Sequence, residues 1–325
     1  MVIITATVLT LFYKLAIYFK HWMSVKVQKI TEPLVLGEGP HWDEKQQALF
    51  FVSILDHTIH KYVPATGTHT KTKLDGRVGF MVPVEGTTDQ FLVGVERKFL
   101  VVRWDGEEGS AAAVVREIAE IDKDVPTNRI NDGKADPRGR VFAGTMGKED
   151  AVGNVDRKQG SLFRLDGAKV TKVADHIDIS NGLAWDLRQK AMYYTDSLER
   201  NIRRYDYDVD TGEISNVKYI FDFEKNMIDG VPDGTTIDTD GNLWVAVFEG
   251  SCILKIDPRK GELLQKIPIP ACQVTSATFG GPNYDVLFVT TASIVSRGPQ
   301  EPPCGATFMV TGLGAKGNPN INFKL

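Results

Sequence analysis

Apolar positions along this chain fall in short runs rich in β-branched and aromatic residues. Four share one setting: Leu49-Phe50-Phe51-Val52, Val141-Phe142-Ala143, Met192-Tyr193-Tyr194-Thr195 and Leu243-Trp244-Val245-Ala246. Each is followed by a run of alternating character: Ile59-His60-Lys61-Tyr62, Leu162-Phe163-Arg164-Leu165, Ile202-Arg203-Arg204-Tyr205 and Ile253-Leu254-Lys255-Ile256. Runs of this length and composition, bounded by Gly, Asp and Pro, predict β-strands. The bounding segments, among them Asp257-Pro258-Arg259-Lys260-Gly261, carry residues that accept turn dihedrals. No apolar stretch of helical period and useful length lies between the runs, which argues against an α/β barrel.

About ten residues before each apolar run stands a related opening. The four openings are Glu38-Gly39-Pro40-His41-Trp42-Asp43, Asn131-Asp132-Gly133-Lys134-Ala135-Asp136, Asn181-Gly182-Leu183-Ala184-Trp185-Asp186 and Asp233-Gly234-Thr235-Thr236-Ile237-Asp238. They are spaced 93, 50 and 52 residues apart, and the first gap is two units of about 46. A degenerate unit fills that gap, with Gly79-Phe80-Met81-Val82, Phe91-Leu92-Val93-Gly94 and Leu100-Val101-Val102-Arg103. A sixth begins near Ser276, with Val286-Leu287-Phe288-Val289 and Thr307-Phe308-Met309-Val310. Six all-β units of this period predict a six-bladed β-propeller. Its last blade needs a strand from the other end of the chain, and Val25-Lys26-Val27-Gln28-Lys29-Ile30 alternates as such a strand should. The closing residues Asp43, Asp136, Asp186 and Asp238 are expected to serve as turn acceptors.

Composition narrows the function. The chain has 325 residues, a net charge of −4 and no block of like charge, so nucleic acid is a poor partner. Cys252, Cys272 and Cys304 are too few and too scattered for a disulfide framework or a zinc ribbon, which fits a reducing compartment and a cytoplasmic location. Residues 2–13 carry no charge and Lys14 interrupts the apolar stretch before it resumes. Residues 1–22 are therefore set apart as a hydrophobic extension, dispensable to a single propeller domain over 23–325. An anchor and a cleaved signal are the other readings, and a membrane is a partner only if this segment anchors. The expected state is a monomer or weak dimer.

In a propeller the first strand of each blade lines the central channel, so the repeat openings converge at one end of it. This places Glu38, Asn131, Asn181 and Asp233 on one rim. Two carboxylates and two amide oxygens suit a hard divalent cation such as Ca²⁺, Mg²⁺ or Mn²⁺, and Zn²⁺ also accepts carboxylate oxygen. A cation would remove the cost of converging carboxylates.

The segments Gly37-Glu38-Gly39-Pro40, Asn128-Arg129-Ile130-Asn131-Asp132-Gly133-Lys134, Ile179-Ser180-Asn181-Gly182-Leu183 and Pro232-Asp233-Gly234 resemble the signatures of the regucalcin (senescence marker protein 30)/gluconolactonase/luciferin-regenerating enzyme family. Gly144-Thr145-Met146 and Thr311-Gly312-Leu313-Gly314-Ala315-Lys316-Gly317 extend the resemblance from about residue 30 to the C-terminus, and its closest tone is that of the insect members. The resemblance implies a metal-dependent hydrolase of sugar lactones, a calcium-binding, gluconolactonase-like carboxylic ester hydrolase. It implies Glu38, Asn181 and Asp233 as ligands of one divalent ion, and Arg129, Asn131 and Glu149 as substrate contacts. Asp233 is the expected base for the attacking water, and the cation the expected Lewis acid. Ser53 departs from the family, whose members often have Asp there. A luciferin-regenerating-type reaction on a heterocycle, or a non-enzymatic calcium-binding regulatory role, are the alternatives.

Other signals are set aside. Gly312-Leu313-Gly314-Ala315-Lys316-Gly317 matches a dinucleotide fingerprint, but eight residues after it leave no room for a βαβ unit. The segment Asp206–Gly212 imitates an EF-hand start with its Gly one place late, and is read as a turn. Trp42, Trp185 and Trp244 are expected to pack between blades.

Overall fold

The computed structural model describes residues 25–325. The readings made for residues 1–22 lie outside the described residues. Those described form six four-stranded antiparallel sheets, a six-bladed β-propeller. The innermost strands are Gly37–Asp43, Val78–Pro83, Arg129–Ala135, Ser180–Asp186, Val231–Ile237 and Gln273–Gly280, for blades 1 to 6 in turn. Each packs on the innermost strand of the next blade, and the sixth on the first, which closes the ring. The strand Lys26–Lys29 supplies the outermost position of blade 6, pairing antiparallel with Phe308–Thr311 through Val27 opposite Val310. Closure therefore ties the start of the described chain to its end, as the alternating segment at 25–30 suggested.

Apolar side chains from adjacent sheets meet between the blades. Trp244 stands edge-on to Phe279 between blades 5 and 6, with ring centroids 5.3 Å apart, and Trp42 stacks on Phe288 between blades 1 and 6. Trp185 departs from the expected role in part: it packs on Phe142 and Tyr207 but also faces a cavity. The closing aspartates behave as expected. Asp136 Oδ1 accepts the N–H groups of Arg138 and Arg140, and Asp238 Oδ1 those of Asp240 and Asn242. Asp208 Oδ1 likewise accepts the Asp210 and Thr211 N–H groups, so the EF-hand imitation is a turn.

One irregularity recurs in all six blades. The register between the first and second strands shifts at Glu38/His41, Val78/Phe80, Ile130/Asp132, Asn181/Leu183, Pro232/Thr235 and Val274/Ser276. Each shift is a β-bulge that inserts one extra residue into the innermost strand and re-aims its side chains. Four bulges fall on the repeat openings read from the sequence, so the Asn-Gly and Asp-Gly pairs mark bulges inside strands rather than turns before them. Glycine at the bulge also lets neighbouring innermost strands close up. A Cβ at Gly79 would lie 2.6 Å from the Ile130 carbonyl oxygen, and one at Gly182 would lie 2.7 Å from that of Asp233. Gly79→Ala is accordingly expected to destabilise the chain by about 1–3 kcal/mol in denaturant titration, because backbone rather than a flexible side chain must yield.

Candidate functional site

The bulges set the rim residues at one end of the channel. Glu38 comes from blade 1, Asn131 from blade 3, Asn181 from blade 4 and Asp233 from blade 5, and all four are buried. Glu38 and Asp233 are within hydrogen-bonding reach of each other across blades. Burial, then the charges of Asp233 and Asp132, push the Glu38 carboxyl well above its ordinary range; the Gly39 N–H and Arg129 work against the shift. Asp233 is raised in the same way by burial and by Asp132. Its Oδ1 is buried without a hydrogen-bond partner. A buried carboxylate oxygen left bare is costly, and natural structures resolve it with an ion, a water or a proton.

The amides form a directional chain. Arg129 Nη1 donates to Asn131 Oδ1 at 2.7 Å. Asn131 Nδ2 donates to Asn181 Oδ1 at 3.2 Å and to the Ser180 carbonyl at 2.9 Å. Asn181 Nδ2 donates to Ser197 Oγ at 2.8 Å. Ser197 thereby spends the donor end of the Asn181 amide and leaves its oxygen facing the other rim groups. Such a chain polarises along its length and fixes each amide's orientation.

Arg129 is buried beside the acids. Burial and the neighbouring Arg77 guanidinium bring it down to about 10, against the pull of Glu149, Glu96 and Glu38, so it stays charged at neutral pH. Arg77 is itself held in a bidentate pair with Glu96, with Nη2 to Oε2 at 2.7 Å. Glu149 sits half-buried on a loop of blade 3, where it bridges Val155. Of the six residues named from the sequence, the structure joins some directly and others only through their charges. Glu38 meets Asp233, and Arg129, Asn131 and Asn181 are joined by hydrogen bonds. Glu149 enters through its charge on Arg129.

Four participants escaped the sequence reading. Asp132 is a third buried carboxyl, raised by burial and steadied by Lys134 and the Gly133 N–H. Its only signal was its place beside the repeat Asn. Lys134, Ser197 and Arg77 carried no repeat signal, because each sits in a single blade. Below the rim, Asp132 and Lys134 border a cavity of about 20 Å³ within the channel, room for about one water.

The donor set fits a hard divalent cation. It consists of oxygen only, it includes an orphaned carboxylate oxygen, and it brings carboxyls together where water cannot screen them. Among the described residues no three His, Cys, Asp or Glu side chains form a metal cage by themselves. The candidate set is two carboxylates and one amide.

Residues 36–293 match the model of the SMP-30/Gluconolactonase/LRE-like region. The chain is 37% identical to regucalcin of Gallus gallus over 308 residues, covering 92% of this chain and 99% of that one. It is 39% identical to regucalcin of Sus scrofa over 301 residues, covering 91% and 97%. Among solved structures it resembles a luciferin-regenerating enzyme, with TM-score 0.86, 41% identity and coverage of 93% and 100%.

The raised carboxyls fix the sign of a pH effect. Without a cation Glu38 and Asp233 bind protons more tightly in the folded chain than in the unfolded one, so their contribution to stability falls as pH rises above about 4, the ordinary carboxylate range. In chelator, that contribution should decline as pH rises above about 4, and Asp233→Asn should flatten the decline. Divalent cation should reverse it in the wild type and much less in Asp233→Asn.

Proposed function

Because the chain belongs to the SMP-30/gluconolactonase/LRE-like family, we propose that it is a divalent-cation-dependent hydrolase of sugar lactones, with its site on the bulge rim. The observation that supports this reading is the bare, buried Oδ1 of Asp233 beside Glu38. Glu38, Asn181 and Asp233 would hold one cation, and their oxygen donors favour Ca²⁺, Mg²⁺ or Mn²⁺ with Zn²⁺ also admissible. A bound cation supplies Lewis acidity toward a lactone carbonyl.

The chain's own groups do the rest. Arg129, charged and fork-shaped, binds hydroxyl or carboxylate oxygens of the sugar, and Asn131 and Glu149 orient it. Asp233 takes the proton of the attacking water. Ser197 positions Asn181 and touches no substrate. The three cysteines are free among the described residues, which agrees with work in the cytoplasm. No helix among them is long and apolar enough to cross a membrane.

A second reading has its own support in the 41% identity to a luciferin-regenerating enzyme. It keeps the rim and replaces the lactone with a heterocycle. Assay of both substrate classes on one preparation separates the two.

Asp233→Ala should lower kcat for D-glucono-δ-lactone by about 100-fold or more at saturating cation. Unchanged kcat would remove Asp233 from the chemistry. Ser197→Ala should weaken the cation requirement curve by about 10-fold while leaving kcat at saturating cation nearly intact.

A further inference from the structure

The innermost strands run from the rim to the other end of the channel, and there a cavity of about 520 Å³ opens. That size suits a small-molecule site. Its walls are apolar, built from Ala135, Ala184, Trp185, Ile237, Pro319 and Ile321. Residues 318–321 cross it as a strap. On one side the strap is tied where Thr239 N–H donates to the Lys316 carbonyl, on the other where Glu85 N–H donates to that of Phe323. Leu187 also lines the cavity and is 52% exposed.

The polar groups in the cavity divide by what they already bind. Asp186 Oδ1 accepts the Arg188 and Gln189 N–H groups. Asp238 serves its turn and the Trp244 indole, and Lys255 lies 3.2 Å away. Arg188 Nη2 donates to the Thr239 carbonyl. His41 meets Asn322 Oδ1 through Nε2, and burial lowers it to about 4, so it is neutral. Lys134 is different. Its ammonium makes one hydrogen bond, to the Thr235 carbonyl at 3.0 Å, and has three donors to give. Lys134 therefore borders the cavity with donors to spare; burial brings it down to about 8 and the Asp132 charge supports its ammonium form, so it carries charge at neutral pH and below.

We propose that this cavity binds an apolar monocarboxylate, with a ring or short hydrocarbon body between Trp185 and the strap and its carboxylate on Lys134. The pairing is charge-assisted and shielded from water, where such bonds are strongest. The cavity lies at the opposite end of the strands from the rim, with Lys134 bordering both, and its test uses neither cation nor lactone.

The test titrates 1-naphthoate into the full chain in chelator by calorimetry, with hydrogen exchange followed over residues 318–322. One saturable site with Kd below about 1 mM is expected, together with slowed exchange in the strap. Lys134→Met should weaken binding by about 10-fold or more. Leu187→Glu sets a carboxylate at the mouth and should weaken it by about 10-fold, while Leu187→Lys should not weaken it. The surface pair keeps the test decisive if Lys134→Met fails to fold. The proposal is overturned by absence of saturable binding, by equal affinity in Leu187→Glu and Leu187→Lys, or by naphthyl alcohol binding as tightly as the acid.

Discussion

Three carboxyl groups, Glu38, Asp132 and Asp233, are buried together in the channel of this propeller; burial pushes each toward its acid form, and the charge of Asp132 adds to the shift of Glu38 and of Asp233. Like charges in a water-poor space repel strongly. A chain free to relax would move them apart. Here it cannot, because each sits on the innermost strand of a different blade and those strands form a closed ring. The rest of the molecule supplies the rigidity that this arrangement demands. The strand Lys26–Lys29 closes blade 6, the glycines let innermost strands approach, and the tail straps the far end.

The carboxyls differ in how they are held. Glu38 has the Gly39 N–H on Oε2 and Asp132 has the Gly133 N–H on Oδ1. Asp233 leaves one oxygen without any partner. The contrast makes Asp233 the group whose state depends most on what enters the channel. Around it the chain has spent its flexible donors: Arg129 on Asn131, Asn131 on Asn181 and Asn181 on Ser197. The side chains are pre-organised, so a ligand meeting them need not order them.

The architecture was legible in the sequence because it repeats. Each inner blade strand left a β-branched or aromatic run, and the spacing of 50 and 52 residues between openings counted the blades. The outermost strands of blades 1 to 5 were not read. Thr68–Lys73 and Lys169–Ile177 are polar on much of both faces, so neither alternation nor an apolar run announces them. The rim was legible for the same reason as the blades: Glu38, Asn131, Asn181 and Asp233 occupy one repeat position. What lay outside the repeat stayed hidden. Ser197 belongs to a 3₁₀ turn of blade 4 alone, and Lys134 contacts the carbonyl of Thr235, 101 residues away. The bulges themselves were not legible, because Asn-Gly and Asp-Gly serve turns and bulges alike and only strand pairing separates them.

The central claim is that Glu38, Asn181 and Asp233 share one ion. Crystals soaked in Mn²⁺ and measured near its absorption edge test it most directly. The account predicts one strong anomalous peak per chain, bonded to an oxygen of each of these three side chains. A peak seated elsewhere, or a rim that binds no ion while the protein hydrolyses lactones at full rate in chelator, would contradict it.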